Sequence, residues 1–172
     1  GCTSLTSITI PESVTSIGSY VFWGCGGELT INCNIPSYSQ SSYGVFYESN
    51  FTKVTIGESV TSIGNYAFNE CTSLKELVIE DGSETLSLGY NYYNSSSNKI
   101  GEGLFYDCPL ETIYLGRNLS YDSSEKYGYS PFYNQKALTS VTIGDSVTSI
   151  GGYAFHGCSS LTAVYIKDIA SW

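Results

Sequence analysis

The chain repeats itself, and a short repeat leaves few folds open. Residues 54–68 read VTIGESVTSIGNYAF and residues 141–155 read VTIGDSVTSIGGYAF, so two distant segments differ at only two of fifteen positions. The opening, CTSLTSITIPESVTSIGSYVFWG over residues 2–24, carries the same phrase. A period in the low twenties is one supersecondary unit stacked on copies of itself, because so short a unit cannot bury its apolar face alone. The expected fold is a β-rich repeat solenoid whose core runs along the stack.

Each unit opens with an apolar triplet spaced L-x-x-I-x-I. The triplets are Leu5/Ile8/Ile10, Phe51/Val54/Ile56, Leu74/Leu77/Ile79, Leu110/Ile113/Leu115, Leu138/Val141/Ile143 and Leu161/Val164/Ile166. The alternating, β-branched end of the triplet predicts a strand. After a turn comes a second apolar pair, Val14/Ile17, Val60/Ile63 or Val147/Ile150, expected as a second extended rung. A Tyr-Ala/Val-Phe-x-Gly segment closes the unit and is expected to form a short helical turn. It places Phe22, Phe46, Phe68, Phe105, Phe132 and Phe155 in one slot, six of the seven phenylalanines. Rings repeated once per unit predict a stacked aromatic spine. The second unit departs from the phrase: Leu29, Ile31, Cys33 and Ile35 alternate strictly, which predicts a longer strand pointing four apolar residues inward.

The composite phrase C-x-S-L-x-x-I-x-I-P-x-S-V-T-S-I-G-x-Y-A-F-x-G-C resembles the BspA-type leucine-rich repeat, also called the Treponema pallidum type. The resemblance covers nearly the whole chain, tightest in units one, three and six. It implies a curved leucine-rich-repeat solenoid on a bacterial surface or secreted protein, with adhesion to host proteins or other cells as its role. It carries over no catalytic residues. With the period, it predicts a single right-handed array of about seven units over residues 1–172, about 34 Å long at about 4.8 Å per rung.

Composition narrows the partners. Charged residues make up only 13% of the chain, the net charge is −9, and the seven Lys and Arg are scattered. That disfavours nucleic acid, whose binding depends on Lys and Arg density. No segment approaches the roughly 18 apolar residues of a membrane span, and no signal peptide is visible. Neither end carries a polar capping unit, so the chain is expected to be part of a longer array whose targeting segment lies elsewhere.

Cys2, Cys25, Cys71, Cys108 and Cys158 share one repeat slot after the Phe-x-Gly turn, with Asn50 and Lys136 standing there in other units, and Cys33 replaces an inward Ile. Reduced, structural thiols are expected, although neighbouring rungs leave Cys2–Cys25 and Cys71–Cys108 bridges geometrically open. No zinc spacing is present, and no metal or other cofactor is expected. His156, the only histidine, sits in an outer slot that elsewhere holds Trp23, Tyr47, Asn69, Tyr106 and Tyr133, so it is read as a surface side chain. Glu12, Glu58, Asp81 and Asp145 share the turn after the first strand, as solvated turn residues or as a weak calcium ladder. With no Ser-His-Asp constellation the chain is not expected to be an enzyme.

Function is expected where the period fails. Inserts run from Asp81 to Gly103 and from Asn118 to Pro131, with a milder one at Ser37–Tyr43; the two long ones are rich in Tyr, Ser, Asn and Gly, and the last is Tyr and Ser with one Gln. That is the composition of adaptable recognition loops. Tyr90, Tyr92, Tyr93, Tyr121, Tyr127 and Tyr129 are their candidate ligand-binding residues; as an alternative, these tyrosines stack on one another and shield the array. Tyr114 and Tyr165 are two further candidates, aromatics on the outward strand face among Thr and Ser, where strand propensity is an equally simple account. The expected function is a non-catalytic recognition module binding a host extracellular protein, a cell-surface protein or a glycan. The alternatives are a structural spacer within a larger surface protein and an intracellular scaffold.

Overall fold

The computed structural model describes residues 1–39, 42–92, 102–122 and 129–167. The strands are β1 (Ser7–Ile10), β2 (Gly26–Ile31), β3 (Asn50–Ile56), β4 (Ser62–Ile63), β5 (Glu76–Ile79), β6 (Leu86–Leu88), β7 (Tyr90–Tyr92), β8 (Glu102–Gly103), β9 (Thr112–Leu115), β10 (Leu119–Ser120), β11 (Ser140–Ile143) and β12 (Ala163–Ile166). The x-I-x-I segments build one seven-stranded parallel sheet in the order β1-β2-β3-β5-β9-β11-β12. Each unit therefore adds one strand beside the last, and the fold is a parallel β-solenoid.

Register is set by the apolar alternation, since a slip of one residue would turn every Ile to solvent. Ile10, Ile31, Ile56, Ile79, Leu115, Ile143 and Ile166 are successive partners in one column. In the middle of the stack these positions are fully buried, Ile31, Ile56 and Ile79 being 0% exposed. The second rung forms where the repeat is central: β4, β6 and β10 make a three-stranded parallel sheet, and Ile35 bridges to Ile63. The Val14–Ile17 and Val147–Ile150 stretches follow the same path without strand pairing. In the second unit the strand ends at Ile31, yet Cys33 and Ile35 remain buried as the chain turns the corner.

The Tyr-Ala/Val-Phe-x-Gly segments, expected as helical turns, are runs of tight turns. The backbone explains this. Tyr20, Tyr66 and Tyr153 sit at φ of 59°, 62° and 60°, in the left-handed region that ends a helix. Their neighbours bond across units instead of along a helix: Phe22 N–H to Val45 O at 3.2 Å, Phe46 N–H to Ala67 O at 3.2 Å. The stack is close enough that a Cβ at Gly44 would collide with the Tyr66 carbonyl.

The phenylalanine slot forms the expected spine. Ring centroids from Phe22 through Phe46, Phe68, Phe105 and Phe132 to Phe155 are 5.6, 4.9, 5.1, 5.9 and 5.3 Å apart. Phe51, in the Leu slot, meets Phe22 and Phe46 edge-on at 6.2 and 6.3 Å.

All six cysteines are free thiols, and the slot that five of them share has a hydrogen-bonding role. Cys71 Sγ donates to Phe46 O at 3.0 Å, Cys108 Sγ to Phe68 O at 3.8 Å and Cys158 Sγ to Phe132 O at 3.1 Å. Each thiol thus reaches the spine carbonyl of the preceding unit. Three residues past the spine Phe, the slot is held in the other units by Ser49 and Gln135, not by Asn50 and Lys136 as the period suggested; Gln135 Nε2 donates to Phe105 O at 2.7 Å.

Arg117 is the largest fully buried side chain. It leaves the turn after β9, crosses the Gly82 turn of the intervening unit, and donates from Nη1 to Glu58 O and from Nη2 to Gly57 O, both at 2.7 Å. Val60 and Val147 fill the matching corner in their own units. The turn Glu80–Thr85 is longer than its counterpart before Val60 and leaves that corner to the arginine. Burial pulls its pKa down, and the Glu80 and Glu58 carboxylates oppose the shift.

Two outcomes are expected. Phe68→Ala lowers unfolding free energy by about 3–5 kcal/mol, and Cys71→Ala by about 1–2 kcal/mol, in urea titrations. The second prediction concerns pH. Burial raises the thiols of Cys33, Cys108 and Cys158 above their ordinary 9.0 and the phenols of Tyr38 and Tyr121 above 10.0. Above those values the unfolded chain loses protons that the folded chain keeps, so stability falls as pH rises. The melting temperature should hold steady below the thiol range and drop as pH climbs through 9.0 and then 10.0.

Candidate recognition surfaces

The outward face of the main sheet is built from two residue columns. One runs Thr9, Thr30, Thr55, Val78, Tyr114, Thr142, Tyr165, and the other Ser7, Glu28, Lys53, Glu76, Thr112, Ser140, Ala163. Parallel pairing in register puts like beside like, so this face is hydroxyl-rich. Lys53 bridges to Glu76 at 2.8 Å within its column.

Tyr165 is 61% exposed and stands clear at the end of the sheet. Tyr114, two strands away, is half-buried and engaged. Its hydroxyl lies 2.8 Å from both Asp81 carboxylate oxygens, Lys167 Nζ donates to it at 2.7 Å, and the same ammonium sits 4.7 Å from the ring centroid. Asp81, read from sequence as a solvated turn acid or calcium ligand, is thus part of a Lys–Tyr–Asp network. Among the described residues, no group of three or more His, Cys, Asp and Glu could hold a metal ion.

The insert tyrosines fall into two sets. Tyr93 and Tyr127 lie outside the described residues, and Tyr92 ends strand β7. The rest turn toward the array. β7 pairs antiparallel with β8, forming a hairpin beside the stack. The Tyr90 amide donates to Asn65 Oδ1 at 3.1 Å, and its half-buried ring sits 6.2 Å from Tyr66 and 5.6 Å from Tyr129. Tyr129 is 2% exposed. Tyr121 packs partly buried against the core and donates its hydroxyl to Gly152 O at 2.9 Å. A phenol buried with its ring against others offers a partner no surface, so Tyr129 acts from inside the fold.

The variable outer slot of the turns carries exposed aromatics: Trp23 is 51% exposed and Tyr106 41%, and Tyr20, from a neighbouring turn position, is also 41% exposed. Tyr20, Tyr43 and Tyr47 cluster with centroids 5.3, 5.5 and 4.3 Å apart. His156 stacks on Tyr133 at 5.8 Å and meets Tyr153 edge-on. The available signal was composition: Trp or Tyr fills that slot at positions 23, 47, 106 and 133.

The family model described as BspA type leucine rich repeat region matches residues 1–123 and 125–171 in six copies. The chain belongs to this family. BspA-type repeats are generally non-enzymatic and typical of bacterial surface proteins. Comparisons with curated proteins and with solved structures found no match. No helix among the described residues of this BspA-type array is long and apolar enough to cross a membrane.

Burial separates the tyrosines by what they do. Tyr129→Ser should cost about 3 kcal/mol, comparable to other large-to-small core changes, while Tyr165→Ser should stay within about 0.5 kcal/mol of the parent. Paired urea titrations read both.

Proposed function

We propose that this array is a non-catalytic recognition module of a bacterial surface or secreted protein, binding a host protein, another cell-surface protein or a glycan. The observation that carries this reading is the outward face of the seven-stranded sheet. It is regular, accessible and dominated by hydroxyls, and Tyr165 projects from it at 61% exposure. A rigid strand face of this kind presents side chains in fixed columns and loses little entropy on binding. The family's generally non-enzymatic character supports the same view. Tyr165 is the leading contact residue, with Tyr114 two strands away in the same column, held in place by Asp81 and Lys167.

The spacer reading draws on one observation of its own. Tyr90, Tyr121 and Tyr129 spend their rings or hydroxyls on the array, as a structural flap would. The two readings separate on arrays of extracellular-matrix proteins and of glycans probed with the purified chain. Recognition through the strand face requires a hit that weakens about ten-fold or more when Thr55→Arg and Thr142→Arg fill the face, with the melting temperature little changed. A clean chain that binds nothing on either array leaves the spacer.

A further inference from the structure

The outer turn column contains an open cleft of about 310 Å³, with Trp23, Glu48, Asn50, Glu70 and Thr72 among its walls. It lies where the tight turns lead into the strands, apart from the outward sheet face. Two features make it unlike the rest of the surface.

The first is the exposed indole. Trp23 is 51% accessible, and its Nε1 donates to Glu48 Oε2 at 3.0 Å, which fixes the ring beside a carboxylate. Solvent-exposed aromatic surface next to the Tyr20, Tyr43 and Tyr47 cluster forms a patch of π faces. These rings remain partly open to solvent, whereas the inner Phe rings are buried in the spine.

The second is uncompensated charge. Glu48 and Glu70 line the cleft, and Asp107 continues the line by accepting from Asn69 Nδ2 at 3.1 Å and from the Glu70 amide at 3.4 Å. The ion pairs among the described residues, Lys53–Glu76, Lys75–Glu111 and Lys167–Asp81, lie elsewhere. Arg117 is spent on Gly57 and Glu58, and Lys136 on the Gly157 carbonyl. Among the described residues, no Lys or Arg is thus left to pair with the trough beside the indole, in a chain of net charge −9.

We propose that the Trp23–Glu48–Glu70 cleft is a docking site for an arginine-bearing segment of a basic protein partner. A guanidinium satisfies both features at once. It stacks on an aromatic face, and its planar fork donates to carboxylates two bonds at a time. Lysine would satisfy the charge and match the planar geometry less well. Tyr20, Tyr43 and Tyr47 would cover the aliphatic stems of flanking residues. The proposal rests on the recognition reading above but assigns it a different surface, so the two can fail separately.

The test uses a labelled twelve-residue peptide of alternating Arg and Ser, followed by fluorescence anisotropy on the purified chain at low and physiological salt. Citrulline and Lys versions of the same peptide serve as comparators. The parent should bind the Arg peptide, bind the Lys peptide more weakly and ignore the neutral citrulline peptide. Trp23→Ala should weaken binding about four-fold, the size of an exposed cation–π contact, and Trp23→Phe should recover part of it. Glu48→Gln and Glu70→Gln should each weaken it several-fold. Glu12→Gln removes an equal charge from the far end of the strands and should change little. Equal losses with Glu12→Gln would reduce the binding to a general acidic field and overturn the proposal, as would indifference to Trp23→Ala. A neutral glucan hexasaccharide that binds through Trp23 while the Arg peptide does not would make the cleft a sugar platform instead. Should an array partner survive Trp23→Ala with Glu48→Gln but be lost with the sheet-face substitutions, recognition stands and this cleft falls.

Discussion

Everything in this molecule follows from in-register stacking of near-identical units. A parallel rung spacing near 4.8 Å brings each residue beside its counterpart in the next unit. Once that spacing is set, columns form of necessity: Ile on Ile inside the sheet, Phe on Phe in the spine, thiol on spine carbonyl along the turns. No single contact is strong. The Phe centroids, 4.9 to 5.9 Å apart, each contribute the modest gain of an offset aromatic pair. The gain accumulates because the same geometry recurs at every interface, and because a unit out of register would lose all its columns together.

That constraint also explains how the array absorbs its irregularities. A longer turn in one unit cannot be left as a void, since the units on either side must still meet. Arg117 closes such a gap by reaching past the intervening turn to the carbonyls of Gly57 and Glu58. Asn34 and Asn118 do a lighter version of the same work, each accepting two backbone amides of the following unit through Oδ1. The described insert tyrosines behave alike: Tyr90, Tyr121 and Tyr129 are drawn in by ring contacts and by carbonyls that need donors.

The surfaces divide accordingly. The outward sheet face repeats short hydroxyl side chains and is nearly neutral locally, with Lys53 and Glu76 pairing within it. The turn column is the opposite. Its backbone runs through left-handed turns, and aromatics and carboxylates collect there, with Lys136 bonded to the Gly157 carbonyl near its end. Two faces with different chemistry on one stack suit two kinds of contact.

The strand triplets, the Phe spine, the inward alternation of Cys33 and Ile35 and the order of the units were legible in the sequence. Each depends on a residue and its counterpart one period away, and a repeat displays that relation directly. The helical turn was misjudged because Tyr20, Tyr66 and Tyr153 take positive φ, and the Tyr20 and Tyr66 amides bond to Gly44 O and Tyr90 O of the next unit instead of along a helix. Ser49 and Gln135 stand three residues past their spine Phe like the cysteines, but neither is a cysteine, and the bond from Gln135 Nε2 to Phe105 O is what shows the shared role. Arg117 bonds to residues 59 and 60 positions away, across two unequal periods, which no internal alignment registers. Whether a tyrosine faces solvent or the array is likewise a matter of which carbonyls and rings lie beneath it. The sequence by itself determined the stack, because stacking is a periodic property. Only the tertiary structure decided which departures from the period turn inward and which aromatic slots stay exposed, because those outcomes depend on the space and the unpaired polar groups that neighbouring units leave behind.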